Sequence, residues 1–269
     1  MTNIFQVIML ASGSKGNAAV ISLASRRFLV DMGLSVRELK KRAASVGIRL
    51  EELDAVLITH EHIDHIKGLE TFLKKYKTPV YASHRTWLEI FKRFPDLDRR
   101  RCSLLETNLF CGGVRIGSFS VPHDAVDTRG YTFTDVASGA KCAYLTDVGY
   151  ITETIKEALE GSEVLVLESN HDVEMLKEGP YPRELKQRIL STRGHLSNAS
   201  AGAYLAGLKT LPKQVFLAHL SEQNNLPRLA YDTVAGALTG RLDETDILVA
   251  SQTEVVLAGG RPEQLKIFD

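Results

Sequence analysis

The sequence predicts an α+β fold gathered into one layered domain, and three observations predict it. Apolar or alternating runs of strand length are interleaved with helical patterns along the whole chain. No Pro/Ser-rich linker or block of like charge separates the two halves. The 269 residues, 44% apolar and 25% charged, are enough to bury a core without covalent staples. Both halves begin with strands and carry helices, so one two-layered domain over residues 1–269 is favoured over two domains.

The elements follow in order. "FQVIML", "AVISLA" and "RFLVD" are separated by Gly/Ser/Asn or paired Arg residues, the pattern of an antiparallel opening set. Ser35 and Glu38 form a capping-box pair ahead of the helix "VRELKKRAASVG", with Leu39 and Ala43 on one face and Gly47 as its stop. Strand "AVLIT" leads into the histidine-rich "HEHIDH", then helix "GLETFLKKY", strand "PVYAS" and helix "RTWLEIFKRF". Strands are expected near "VRIGSFSV", "GYTFTDVA" and "KCAYLTD". The second half reads as helix "TETIKEALEG", strand "EVLVLES", helices around "PRELKQRIL" and "NASAGAYLAGLK", strand "QVFLAH", one more helix, and closing strands "DILVAS" and "TEVVLAG".

Composition narrows the function classes. With 33 basic and 33 acidic side chains there is no global field to attract a polyanion, so any affinity for nucleic acid must be local. The three cysteines, Cys102, Cys111 and Cys142, form no CxxC pair, which fits a reducing compartment, and the cytoplasm is the expected location. The N-terminal run "IFQVIMLA" lacks a basic lead-in and is too short to span a bilayer, so no membrane role is expected.

The chemistry concentrates at His60, His62, Asp64 and His65. In an extended segment residues two apart point the same way, so His60 and His62 can present two imidazoles to one ion while Asp64 and His65 turn toward another. By composition an HxHxDH string arises by chance in on the order of one in a few thousand chains, which weighs against an incidental polar loop. Four ligands do not complete two sites. His123 after "FSVP", Asp147 closing "AYLTD" and His219 closing "QVFLA" each follow an apolar strand, where loops of a rigid scaffold converge.

This order of ligands resembles the metallo-β-lactamase fold hydrolases, and the resemblance covers nearly the whole chain. It implies a four-layer αβ/βα sandwich with two divalent ions, Zn²⁺, Mn²⁺ or Fe²⁺. His60, His62 and His123 would hold the first, Asp64, His65 and His219 the second, and Asp147 would bridge them. The implied reaction is hydrolysis by a metal-bridging hydroxide, since two adjacent cations acidify a shared water. Asp31, in "FLVDMG", matches the family's strand-end aspartate that supports the ligand loop from behind; an Asp-x-Gly turn is the ordinary alternative.

Substrate class must come from residues beyond the metals. Glu168 in "VLESNHD" and His195 in "RGHLSN" resemble the elements with which tRNase Z-like phosphodiesterases protonate a departing alkoxide, a positioned acid typically contributing roughly 10²–10⁴-fold. "LASGSKGNAAVI", "GHLSNASAG" and "AHLSEQNNLP" resemble segments of the YycJ/WalJ family, which implies a metal-dependent nuclease, a 5′ to 3′ DNA exonuclease, with DNA as its partner. In that reading Asp64 orients the attacking water or takes its proton.

Ser12, Ser14 and Asn17 of "SGSKGN", together with His171, are expected substrate contacts; a tight Gly/Ser/Asn hairpin and a loop histidine are the plainer readings. Lys74, Lys75, Lys77, Lys92, Arg93 and Arg99 to Arg101 could form a phosphate track or simply a solvated face, and Trp87 with Phe91 reads as a core stripe. The chain shows no Gly/Pro-rich tRNA arm, and the stretch from Asp147 to His219 is too short to hold an inserted nuclease domain. A glyoxalase II-like thioesterase would share the ligands but has no use for Glu168 and His195, and a metal-stabilised signalling module would turn over no phosphodiester.

Overall fold

Strand alternation sorts this chain into layers. The computed structural model describes residues 5–258, so Ile4 at the head of the first apolar run and Gly259 at the end of the last expected strand lie outside the described residues. The chain opens with three antiparallel strands, β1 (Phe5–Ala11), β2 (Ala18–Leu23) and β3 (Arg26–Val30). The β2–β3 turn is Ala24 and Ser25, with φ of 48° and 62°, the sense of twist that lets a two-residue hairpin match its strands. Helix α1 (Val36–Ser45) is capped by Ser35, whose hydroxyl accepts from Glu38 N at 3.3 Å. Glu38 pairs with Arg42 rather than reaching back to close a capping box, and Gly47 at φ 73° follows the helix end.

Strand β4 (Ala55–Leu57) leads through the histidine-rich loop into a single turn, α2 (Ile63–Ile66), and then α3 (Leu69–Lys75). Next come β5 (Val80–Ala82), α4 (His84–Arg93) and two short edge strands, β6 (Cys102–Leu104) and β7 (Asn108–Cys111). The long pair β8 (Val114–Val121) and β9 (Thr128–Asp135) precedes β10 (Lys141–Leu145), α5 (Glu153–Leu159) and β11 (Val164–Glu168). Three helices follow, α6 (Val173–Glu178), α7 (Arg183–Ile189) and α8 (Asn198–Ala206), then β12 (Gln214–Ala218), α9 (Pro227–Ala237), β13 (Asp246–Val249) and β14 (Val256–Leu257).

The strands form two seven-stranded mixed sheets, ordered β14-β1-β2-β3-β4-β5-β6 and β13-β12-β11-β10-β9-β8-β7. In each, an antiparallel portion passes into a parallel one, at β3–β4 in the first sheet and at β10–β11 in the second. Side-chain alternation then assigns the faces. Val20 of β2 joins Leu39, Phe72 and Ile90 of the helices on one outer face, while Ala19 and Ile21 join Tyr131, Tyr144 and Phe216 between the sheets. In β10, Cys142 and Tyr144 face that inter-sheet core, whereas Ala143 and Leu145 pack with Ile155, Leu205 and Val234 on the other outer face. The two layers expected from alternation alone thus become four, because each sheet is covered on both faces: an αβ/βα sandwich. Each fully buried Leu, Ile or Phe in these clusters stabilises the fold by about 1.5–3 kcal/mol.

One contact between the sheets aims the histidine loop. Tyr131 of the second sheet donates from its hydroxyl to the Ile58 carbonyl at 2.6 Å, fixing the backbone just before His60. All three cysteines are free thiols.

Candidate metal centre

The C-terminal ends of the parallel strands, from both sheets, deliver the site. Asp31 follows β3, His60 lies three residues beyond β4, Asp147 lies two beyond β10, Glu168 ends β11 and His219 follows β12. Three of these, Asp31, Asp147 and His219, have positive φ of 62°, 57° and 58°, a backbone conformation uncommon for residues other than glycine. Such strain persists only where the surroundings over-determine it. Here they do, since the three side chains are almost fully buried and tied to neighbours from other strands.

The histidine loop is not extended throughout. His62 caps α2, and Asp64 and His65 lie on that single turn, which rather than strand alternation turns them from the direction of His60. Gly33 makes this possible: a Cβ there would fall 1.7 Å from the Asp64 carbonyl and 2.4 Å from Asn17 N, so the backbones can approach only around a glycine.

Hydrogen bonds orient the imidazoles. His65 Nδ1 faces Asp31 Oδ2 at 2.8 Å, His60 Nδ1 faces Thr59 Oγ1 at 3.0 Å, His123 Nδ1 faces the Gly194 carbonyl at 3.1 Å, and His219 Nδ1 faces Glu168 Oε1 at 2.9 Å. Thr59 Oγ1 in turn lies 3.0 Å from both oxygens of Asp31, to which it donates, so it accepts from His60. With Nδ1 committed in each ring, Nε2 is left as the inward lone pair. His60 Nε2, His219 Nε2 and Asp147 Oδ2 are buried with no hydrogen-bond partner. Unpaired acceptors this deep are costly unless a cation or proton lies among them, so the residues fit a bound metal.

Candidate ligand atoms group within 4.8 Å of one another in overlapping sets: His60, His62 and His123; Asp64, His65 and His219; His60, His65 and Asp147; and Asp147 with Glu168, His195 and His219. All seven residues expected to hold metal are therefore brought together, with Asp147 shared among sets.

Charge divides the histidines. Burial, reinforced by neighbouring His65, His123 and His62, holds His60 well below the ordinary imidazole range, and burial also lowers His123. Burial would lower His65, His195 and His219 too, but facing carboxylates outweigh it and raise all three: chiefly Asp31 for His65, Glu168 for His195 and Asp147 for His219, which is pushed up to about 10. Reciprocally, burial would raise Asp64, Asp147 and Glu168, yet the imidazoles around them hold each below the usual carboxylate range. Positive charge is what this cluster is built to accept.

Glu168 is wholly buried and fully used. Its Oε1 lies 2.8 Å from His195 Nδ1 and 2.9 Å from His219 Nδ1, while Oε2 accepts from Val148 N at 2.8 Å and Leu196 N at 3.1 Å. Asn170 N donates to the Leu196 carbonyl and Asn198 N to the His171 carbonyl, so these two segments run side by side and set His195 against Glu168. His195 lines a cleft of about 260 Å³ together with Ser14, Asp64, Tyr181, Leu185 and Arg188.

The expected substrate contacts separate. Ser14 lines the cleft, but Ser12 and Asn17 are buried behind it. Ser12 Oγ accepts from His219 N at 2.7 Å, and Asn17 Nδ2 lies 3.1 Å from His65 Nε2, so both hold candidate ligand residues in place. His171 is 1% exposed, has no hydrogen-bond partner on either ring nitrogen, and is lowered to about 4 chiefly by burial. Of the eight basic residues of the expected phosphate track, four pair with acceptors within the chain: Lys74 with Glu70, Lys92 with Glu89, Arg100 with Asp98, and Arg101 with the Leu73 carbonyl. Trp87 is buried, stacks on Phe91 at 5.3 Å, and donates from its indole N–H to the Ser103 carbonyl at 2.8 Å.

Several working residues carried no sequence assignment. Thr59 links Asp31 to His60, and Asn225 donates to the Ser169 and Asn170 carbonyls beneath the site, with Asn198 as its side-chain partner. Asp124, directly after His123, places Oδ1 3.1 Å from His123 Nε2; its adjacency to a strand-end histidine was the available signal.

A family model described as the β-lactamase superfamily domain matches residues 26–220. The chain is 39% identical to exodeoxyribonuclease WalJ of Streptococcus pneumoniae over 240 residues, covering 87% of this chain and 88% of that one. It is 38% identical to exodeoxyribonuclease YycJ of Bacillus anthracis over 234 residues, covering 86% and 88%. Among solved structures, Zn²⁺-bound PqqB from Methylobacterium extorquens superposes with a TM-score of 0.68 at 17% identity, covering 93% of this chain and 99% of that one, a likeness of fold.

Proposed function

The chain belongs to the β-lactamase superfamily, in the family of the WalJ and YycJ exodeoxyribonucleases, and from that premise we propose that it is a cytoplasmic, dinuclear-metal-dependent phosphodiesterase that shortens DNA from the 5′ end, working as one domain over residues 1–269. The observation that carries the reading is His195, held by buried Glu168 at the edge of the ligand cluster. A sugar alkoxide is a poor leaving group and needs a positioned acid, whereas a thioester does not.

His60, His62 and His123 would hold one divalent cation and Asp64, His65 and His219 a second, with Asp147 shared; mixed nitrogen and oxygen donors suit Zn²⁺, Mn²⁺ or Fe²⁺. When bound, two such ions supply Lewis acidity to a phosphoryl oxygen and let a water ionise near neutral pH. Asp64, 21% exposed and facing the cleft, orients that water or takes its proton. His195 has Nδ1 committed to Glu168, which leaves Nε2 to protonate the departing oxygen, and Ser14 offers its hydroxyl to the phosphate. Tyr181 and, from α7, Leu185 and Ile189 line the cleft beside these groups.

The test is a set of parallel assays on end-labelled single-stranded DNA, duplex DNA, RNA and an acyl-glutathione thioester, with metal stripped and restored. Metal-dependent release of the 5′ label from DNA as short products, with the thioester untouched, is expected. Turnover of the thioester alone would replace this reading with the glyoxalase II-like one, and metal binding with no turnover at all would leave the interaction module.

A further inference from the structure

Asp124 stands outside the seven residues assigned above, yet its carboxylate faces them. Oδ1 lies 3.1 Å from His123 Nε2 and 3.8 Å from His62 Nε2, and it is buried without a hydrogen-bond partner. His123 Nδ1 faces the Gly194 carbonyl, which can only accept, so Nδ1 holds the ring proton and Nε2 presents a lone pair. A carboxylate oxygen and an imidazole lone pair 3.1 Å apart repel unless positive charge lies between them or beside both. The same ring's partners in the cluster, His60 and His62, aim at that region, and His60 Nε2 is itself unpaired.

The other oxygen is fixed from a different element. Arg188, in the last turn of α7, donates from Nε to Asp124 Oδ2. Its neighbours on α7, Leu185 and Ile189, line the cleft. Asp124 thus sits between the cation position and the cleft wall, with one oxygen turned to each.

We propose that Asp124 is a further donor to the cation position formed by His60, His62 and His123, and that its Arg188 partner ties the α7 wall of the cleft to the filling of that position. The inference rests on the metal-binding reading given above and adds a residue and a coupling to it. A loop carboxylate held this way shapes a site as much as the ligands do, and losing such a partner typically weakens metal affinity by about 10–100-fold.

The experiment is equilibrium dialysis of full-length protein against graded Mn²⁺ and Zn²⁺, with bound metal counted per chain, on the wild type, Asp124→Asn and Arg188→Met. Amide hydrogen exchange of residues 183–189 is followed with and without metal. Asn keeps an acceptor for Arg188 but removes the charge, so it should weaken one of two binding events about 10–100-fold and leave the other unchanged. Arg188→Met should weaken the same event less, and should abolish the slowing of exchange in α7 that metal produces in the wild type. If Asp124→Asn binds both ions as the wild type does, the proposal is overturned. Should that variant fail to fold, Arg188→Met, changed at a side chain 61% exposed, decides alone: unaltered affinity and unaltered exchange overturn it. A wild type that binds no metal would instead sink the metal reading itself.

Discussion

His195 and Asp31 act through bonds that can be removed one at a time. His195→Ala deletes the proposed acid and leaves all seven expected ligands in place, so turnover of DNA should fall about 10²–10⁴-fold with metal content unchanged. An activated ester such as bis(p-nitrophenyl) phosphate, whose leaving group needs no proton, should lose far less; equal losses on both substrates would remove His195 from the acid role. Asp31 is different in kind. It accepts from Thr59 N at 2.8 Å and faces His65 Nδ1, so Asp31→Asn tolerates the positive φ but presents an amide where His65 needs an acceptor. Metal affinity measured by competition with a chelator should drop about 10–100-fold while the fold persists. At this scale the candidate ligands were legible from two signals, the HxHxDH string beyond β4 and the placing of His123, Asp147 and His219 just past apolar strands, which jointly and in that order outweighed the turn reading each has alone. Thr59, Asp124 and Asn225 were not, because a polar residue in a loop also reads as a turn former, and only the distances show what it holds.

Elements position the site through close backbone approach. The segment after β3 passes so near the α2 turn that Gly33 N donates to Asn17 O and Asn17 N to Asp64 O, each at 2.8 Å. A methyl at Gly33 would overlap that contact, and Gly33→Ala should displace the turn carrying Asp64 and His65. Loss of metal binding together with a lowered midpoint in urea is the expected outcome; wild-type affinity would show that the approach is not needed. The long apolar strands and amphipathic helices followed directly from periodicity, and the Ser35 cap on α1 from the Ser35–Glu38 spacing. Strands β6 and β7 did not, being three- and four-residue edge strands with partly exposed side chains, and α2 is too short for any helical period to register. The Asn198–Asn225 pair belongs to this scale as well. Asn225 Nδ2 bonds the carbonyls of Ser169 and Asn170 just after β11, so Asn225→Ala would leave buried acceptors unpaired and destabilise by about 1–3 kcal/mol, readable as a lower unfolding midpoint.

For the whole molecule, what matters is that the candidate ligands come from both sheets. His60 to His65 follow β4 of the first sheet, while His123, Asp147 and His219 follow β8, β10 and β12 of the second. The sheets share an apolar core between their faces, but at this end they meet through carboxylates and imidazoles, of which His60 Nε2, His219 Nε2 and Asp147 Oδ2 lack partners. A cation bound there joins the two halves across their layer boundary and relieves mutual repulsion among acceptors, so it should bind the native state far better than the unfolded chain. At a free metal concentration 100 times its dissociation constant, one such ion stabilises by about 2.7 kcal/mol. For a chain of this size each kcal/mol moves the midpoint by about 2–4 °C, so restoring metal to chelator-stripped protein should raise Tm by about 5–10 °C per tightly held ion. The seven-ligand alanine variants, taken singly, should start from the stripped protein's Tm or below and gain less on metal addition. A rise of less than about 1 °C in the wild type would mean that no ion bridges the sheets, and the strained strand ends would then need another cause.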